Sequence, residues 1–116
     1  MTIKDVIEIL NADVICGSDF NQTIKTACGS DMMSDVLAFV KDQSVLLTGL
    51  VNPQVIRTAE MMDMNCIVFV RGKQPDTVMK DLADQRGIVL LTTKFRMFTA
   101  CGRLYSRGLG GGCDED

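Results

Sequence analysis

Three short apolar runs, Ser44–Thr48 (SVLLT), 66–70 (CIVFV) and 88–92 (IVLLT), begin 22 residues apart and leave this chain little choice of fold. Each is too short for a helix and apolar at nearly every position rather than at alternate ones. Each therefore reads as a strand buried on both faces. The segments between them have helical signals. Asn52 caps one helix, Pro53 takes its first position, where a missing N–H costs nothing, and Val55, Ile56, Ala59 and Met62 fall on its inner side. Pro75 opens the next, with Val78, Met79, Leu82 and Ala83 on one side and Gly87 at its end. Strands joined through helices in this way make right-handed crossovers and a parallel sheet.

The flanking segments extend this pattern. Thr2 is a candidate N-cap with Asp5 three residues on, and Ile3, Val6, Ile7 and Leu10 share one helical face. A strand over Asp13–Cys16 ends at Gly17, residues 18–22 form a polar loop, and a second strand over 23–28 closes at Gly29. Both are expected to extend the sheet at an edge. Ser30 or Asp31 caps a helix running to about Val40, with Met33, Val36, Leu37 and Val40 as its buried stripe. A last helix spans about 94–107 and stops at Gly108. The expected architecture is a three-layer α/β/α domain with a mainly parallel sheet. Residues 1–109 form one domain, and 110–116 a flexible Gly-rich acidic tail, the GLGGGCDED segment holding no core residues.

Composition excludes several functions. The net charge is -3 and the 12 cations are scattered, against a nucleic-acid surface, which needs them clustered. Asp5 and Glu8 interrupt the first apolar segment, which does not suit a secretory leader, and no run is long enough to cross a membrane, so a cytoplasmic protein is expected. The five cysteines contain no C-x-x-C pair and read as small hydrophobes in a reducing compartment rather than as a metal or redox centre. Cys113, among acids, is a poor nucleophile. With no histidine the commonest general base and metal ligand is missing, and no catalytic residue, metal or cofactor is expected. Asp31 and Asp35 form a nominal carboxylate pair, more simply read as a first-turn acid complementing the helix dipole and a surface residue.

A parallel sheet binds ligands beyond the carboxyl ends of its strands. That geometry selects Gly29, Ser30, Asp31, Thr48, Gly49, Asn52, Arg71, Gly72, Lys73, Thr92, Thr93, Lys94 and Phe95. Hydroxyls, glycines and cations at helix N-termini suit an anionic or nucleotide-like ligand. Taken singly, each has a plainer explanation: Ser30, Asp31 and Asn52 as N-caps, Gly49 in a tight turn, Arg71-Gly72-Lys73 as a solvated loop. Neither a P-loop nor a G-x-G-x-x-G fingerprint is present.

In order and spacing, GSDMMSDVLAFV, VLLTGLVNPQVIRTAEMMDMNCIVFV and IVLLTTKFRMFTACGRLYSRGL, over residues 28–109, resemble the DRTGG domain. This small α/β module is similar to the N-terminal domain of HPr kinase/phosphorylase and occurs alone, in CBS-containing pyrophosphatases and in phosphotransacetylase-like proteins. The family's Gly-Asp-Arg-like turn stands here as Gly29-Ser30-Asp31, its Thr-Gly-Gly as Thr48-Gly49-Leu50, and its Asp-Thr segment as Arg96-Met97-Phe98-Thr99 without the acid. The resemblance thus carries over Gly29, Asp31, Thr48, Gly49 and Thr99. It implies a regulatory, homodimeric, non-catalytic module, and by association with hydrogenase and sensor-kinase-like genes a partner in redox regulation. The leading expectation is a sensor of a small anionic metabolite such as an adenine nucleotide. Ser30, Thr48, Gly49, Thr92 and Thr93 would donate hydrogen bonds, and Arg71 or Lys94 would supply charge. The rival is a protein–protein interaction module with no small-molecule ligand, which Leu50 in place of glycine favours; a small phosphoryl hydrolase using Asp31 and Thr48 ranks third.

Overall fold

The computed structural model describes residues 1–39 and 44–112. In chain order the elements are α1 (Ile3–Leu10), β1 (Asp13–Cys16), β2 (Thr26–Gly29), α2 (Met33–Phe39), β3 (Ser44–Thr48), α3 (Pro53–Met61), β4 (Cys66–Phe69), α4 (Thr77–Arg86), β5 (Val89–Thr92) and α5 (Met97–Ser106). The sheet order is β1-β5-β4-β3-β2. β2 to β5 are mutually parallel, and β1 runs antiparallel beside β5. The three-layer, mainly parallel expectation holds.

The sheet separates two cores by simple alternation. Val45, Leu47, Cys66, Val68, Val89 and Leu91 face α1 and α5, whose Ile3, Val6, Leu10, Ala100 and Leu104 cover them. Leu46, Ile67, Phe69 and Leu90 face α2, α3 and α4, meeting Val36, Val55, Ile56, Ala59 and Met79. β3, β4 and β5 are buried at every position, which explains their unbroken apolar sequences.

The first two strands do not share an edge. They flank the sheet on opposite sides, because the segment after Gly17 runs back along α1. There Ile3 N–H donates to Gln22 O (3.1 Å), Lys4 N–H to Phe20 O (2.9 Å) and Ile24 N–H to Met1 O (2.7 Å). Thr23 bridges Thr2, so β2 begins only at Thr26 rather than at 23.

Other boundaries shift for local reasons. α1 carries the expected capping box, with Thr2 N–H on the Asp5 carboxylate (2.8 Å) and Asp5 N–H on the Thr2 hydroxyl (3.3 Å). α4 is capped by Asp76, which accepts the Met79 N–H at 2.9 Å, and so starts two residues after Pro75. Val78 is exposed and Leu82 half-buried, leaving Met79 and Ala83 as its inner face. Leu37 on α2 is exposed, Met62 is half-buried, and Val40 lies outside the described residues. α5 starts at Met97, because the Phe95 carbonyl is taken by Arg71 N–H (2.8 Å).

The expectation of a tail without core residues fails at Leu109, which is buried. Beside it the Gly110 carbonyl accepts the Ala27 N–H at 2.9 Å along the open edge of β2. Of the described cysteines, Cys66 is buried and Cys16, Cys28 and Cys101 are half-buried, none in a disulfide. Burial pushes the thiols of Cys66, Cys101 and Cys16 above their ordinary range.

Candidate functional site

The four parallel strands end at one rim, and the loop after β2 is tied there to the loop after β3. Asp31 lies two residues before α2. Its carboxylate accepts the Thr48 hydroxyl at 3.0 Å and the Gly49 N–H at 2.6 Å. Thr48, fully buried at the end of β3, in turn accepts the Leu50 N–H at 3.1 Å on the same oxygen. Asp31 is therefore a clasp between loops, not a first-turn acid of the helix. Ser30 accepts the Met32 N–H at 3.0 Å and shapes the turn into α2. Leu50 packs against the α2–α4 core, so its side chain leaves the rim rather than crowding it.

At Gly49 the Arg71 guanidinium lies across the loop, and a Cβ there would displace the end of that side chain. Arg71 itself takes a left-handed backbone (φ 60°), pinned by its N–H on Phe95 O, and Gly72 N–H donates to Thr93 O at 2.8 Å. The loop after β4 is thus stitched to the loop after β5. Among the described residues the Arg71 guanidinium joins no ion pair, the pair present being Arg86–Glu60 at 2.8 Å. Arg96, at the start of α5, makes no side-chain capping bond. Arg71, Arg96, Gly29, Ser30, Asp31 and the 88% exposed Phe98 line one open groove of about 480 Å³. Gly29 lets α5 come close, since a Cβ there would lie 2.6 Å from Cys101 Sγ.

Thr92, Thr93 and Lys94 belong to a different hollow, about 410 Å³, on the other flank of the loop from β5 to α5. Thr92 donates to Lys73 O and Thr93 to Leu10 O, both at 2.8 Å, and Thr93 accepts the Phe95 N–H at 3.3 Å. Thr99 is separate again, on the outer face of α5 beside Ile9, Arg103 and Arg107. Arg103 there stacks on Phe95, 4.3 Å from the ring centroid.

The rim therefore divides the expected site. A hydroxyl has one proton to give, and those of Thr48, Thr92 and Thr93 are given to the protein, as is the Gly49 N–H. What remains for an anion is cationic: Arg71 and Arg96 in the groove, Lys94 in the hollow. Arg96 and Phe98 also line the groove and are not among the residues that the sequence selects. Their signal was their position at the first turn of α5, hidden by starting that helix too early. Among the described residues no group of three His, Cys, Asp or Glu side chains is placed to hold a metal ion, and no helix is long and apolar enough to cross a membrane.

These features define a small three-layer α/β module whose polar groups gather at the carboxyl rim of a parallel sheet. The DRTGG domain model matches residues 5–106, and the chain belongs to that family. Its fold is similar to the crystal structure of the CBS and DRTGG domains of the regulatory region of Clostridium perfringens pyrophosphatase, complexed with the activator diadenosine tetraphosphate. The TM-score is 0.69 at 15% identity, covering 89% of this chain and 45% of that one; the chain thus spans under half of its neighbour's length. No curated protein matches the sequence.

Proposed function

We propose that this chain is a non-catalytic regulatory domain that senses a small anionic metabolite, with adenine nucleotides the first candidates, in the groove between the β2–α2 loop and the start of α5. The observation that carries this is the pair Arg71 and Arg96, two cations facing one groove of a net-negative protein without internal ion-pair partners among the described residues. Charge-assisted hydrogen bonds from guanidinium groups are strong and suit phosphate geometry. The pyrophosphatase region of the same fold is an activator-binding one, which supports a nucleotide as the ligand class. The carboxylate in the groove, Asp31, accepts two internal hydrogen bonds, which supports a scaffold role over general acid–base work. The link to redox metabolism receives no support from the fold or its neighbour. A cytoplasmic homodimer fits this reading, and sedimentation equilibrium tests the dimer.

The test is a thermal-shift and calorimetric titration with ATP, diadenosine tetraphosphate and tripolyphosphate. A ligand at a hundredfold its dissociation constant stabilises by about 2.7 kcal/mol, a shift of several degrees in a domain of this size. The shift is expected in the wild type and should vanish in Arg71→Ala/Arg96→Ala. A folded protein that responds to none of the three sinks the proposal. The rival reading, a module that docks a protein partner without any small ligand, draws on Phe98 and Tyr105, 88% and 66% exposed on α5. It predicts that Phe98→Ser/Tyr105→Ser abolishes partner capture while leaving any nucleotide response unchanged.

A further inference from the structure

The hollow beside the arginine groove has walls built from three segments. The turn from α1 to β1 gives Leu10, Asn11 and Asp13, the loop after β4 gives Gly72 and Gln74, and the loop after β5 gives Thr92 to Phe95. The Thr93–Leu10, Thr92–Lys73 and Gly72–Thr93 hydrogen bonds, each 2.8 Å, hold these walls together. A site so fixed costs little ordering when it is filled. Its volume of about 410 Å³ falls in the range of small-molecule pockets, which runs from roughly 300 to 1,000 Å³.

Its rim carries four exposed polar groups of mixed chemistry. Asn11 and Gln74 present carboxamides, Asp13 a carboxylate and Lys94 an ammonium, and none of these side chains has a hydrogen bond or ion pair among the described residues. Asp13 and Lys94 share one hollow with opposite charges yet do not pair. The apolar part of the floor is the half-buried Phe95, whose ring also carries the Arg103 guanidinium; Leu10 beneath is fully buried. A bare anion would use Lys94 and be repelled by Asp13. A nucleoside uses all of it. A carboxamide both donates and accepts, as the edge of a base requires. A carboxylate accepts from both hydroxyls of a ribose diol, an ammonium meets the first phosphate, and the apolar floor takes the face of the base.

The hollow also adjoins the groove. Their common wall is the short ladder of Arg71-Gly72 against Thr93–Phe95, so consecutive residues face opposite sides: Gly72 and Phe95 the hollow, Arg71 and Arg96 the groove. Gly72 carries no side chain, and a Cβ there would meet nothing within 4 Å, so the wall is low at its centre. We infer that the hollow is the nucleoside subsite of a composite nucleotide site, holding base and ribose through Asn11, Gln74 and Asp13. The phosphates then pass over Gly72, past Lys94, to Arg71 and Arg96. This rests on the reading of the groove as an anion site.

Calorimetry of the full chain with ATP, GTP, 2′,3′-dideoxy-ATP and tripolyphosphate tests it, on the wild type, Asp13→Asn and Asn11→Ala/Gln74→Ala. All three side chains are exposed, so Asp13→Asn should melt like the wild type. Asn11 is the left-handed C-cap of α1 (φ 47°), so Asn11→Ala lowers the melting temperature somewhat, and its binding is measured well below that temperature, where the variant is folded. At least one of ATP and GTP should bind about tenfold or more tightly than tripolyphosphate, and both variants should lose about tenfold for that nucleotide alone. Asp13→Asn should not weaken the dideoxy nucleotide, which has no diol to lose. If tripolyphosphate binds as tightly as both nucleotides and neither variant matters, the nucleoside subsite is wrong and the arginine groove stands. Nucleotide binding that depends on the hollow with no tripolyphosphate binding supports the subsite and removes the groove. No binding by any ligand overturns both.

Discussion

Asp31 and Thr48 are 17 residues apart and meet through one hydrogen bond of 3.0 Å, with a second from Gly49 beside it. Thr48 is fully buried, so deleting the carboxylate strands a hydroxyl out of reach of water, a cost of about 1–3 kcal/mol. Asp31→Ala and Thr48→Val should each destabilise by about 1–2 kcal/mol. The double variant should fall short of their sum by about 1 kcal/mol. Urea melts of the four proteins check this, and strict additivity would mean that the clasp carries no energy. Sequence marks both residues through their places at strand ends. It cannot reveal the clasp, because a short acid before a helix is equally well a cap until the neighbouring strand fixes what lies beside it. Gly49 is a similar case: readable as special, yet what lies against it is the Arg71 guanidinium, 22 residues away in sequence. The capping box of α1 is the opposite case, legible in full because its partners are three residues apart. It has a pH signature. The Thr2 N–H holds the Asp5 carboxyl below its usual value, so its contribution is complete above the ordinary Asp range and is lost as pH falls through the lowered value. Melting temperature followed from pH 6 to pH 3 should therefore decline less steeply in Asp5→Asn, which starts lower and has nothing there to lose.

At the scale of elements, β3, α3, β4 and β5 were legible because two independent signals agree: strands apolar throughout, and caps or breakers between them. The pairing of β1 and β2 was not. Each is four residues long and only partly buried, and their places on opposite edges depend on backbone bonds from the 18–24 segment to α1. No side-chain pattern records those bonds. The chain beyond α5 was misread for a related reason: among so many glycines, Leu109 looks isolated. It is in fact the last residue of the core shared by α1 and α5, and Gly110 next to it closes part of the β2 edge. Leu109→Ala should therefore cost about 2–4 kcal/mol, as for other large-to-small changes at buried sites. A tail without core contacts predicts a change within about 0.5 kcal/mol. Chemical denaturation separates the two outcomes.

The fold is one sheet sealed on both faces, with Cys66 opening its central strand β4 between Val45 and Val89. That thiol is fully buried, and burial alone raises its pKa far out of the reactive range. Its alkylation should then need the sheet to open. Half-buried Cys101, whose thiol is raised for the same reason but to a lesser extent, should react through local motion at the edge of α5. When reclosing is faster than the chemistry, a thiol that needs global opening reports the global equilibrium. Iodoacetamide labelling read peptide by peptide in a mass spectrometer should find Cys66 slowest among the described cysteines. The Leu109→Ala variant should speed its labelling by the factor that its stability loss dictates, about thirtyfold for 2 kcal/mol, and hardly alter Cys101. A ligand held at the rim should slow Cys66 in the same proportion as it stabilises the fold, because the loops that would bind it are the ends of the strands that must part. Equal labelling rates at Cys66 and Cys101 in the native protein would show that the centre of the sheet opens as readily as its edge, and the two-faced seal that organises this fold would be wrong.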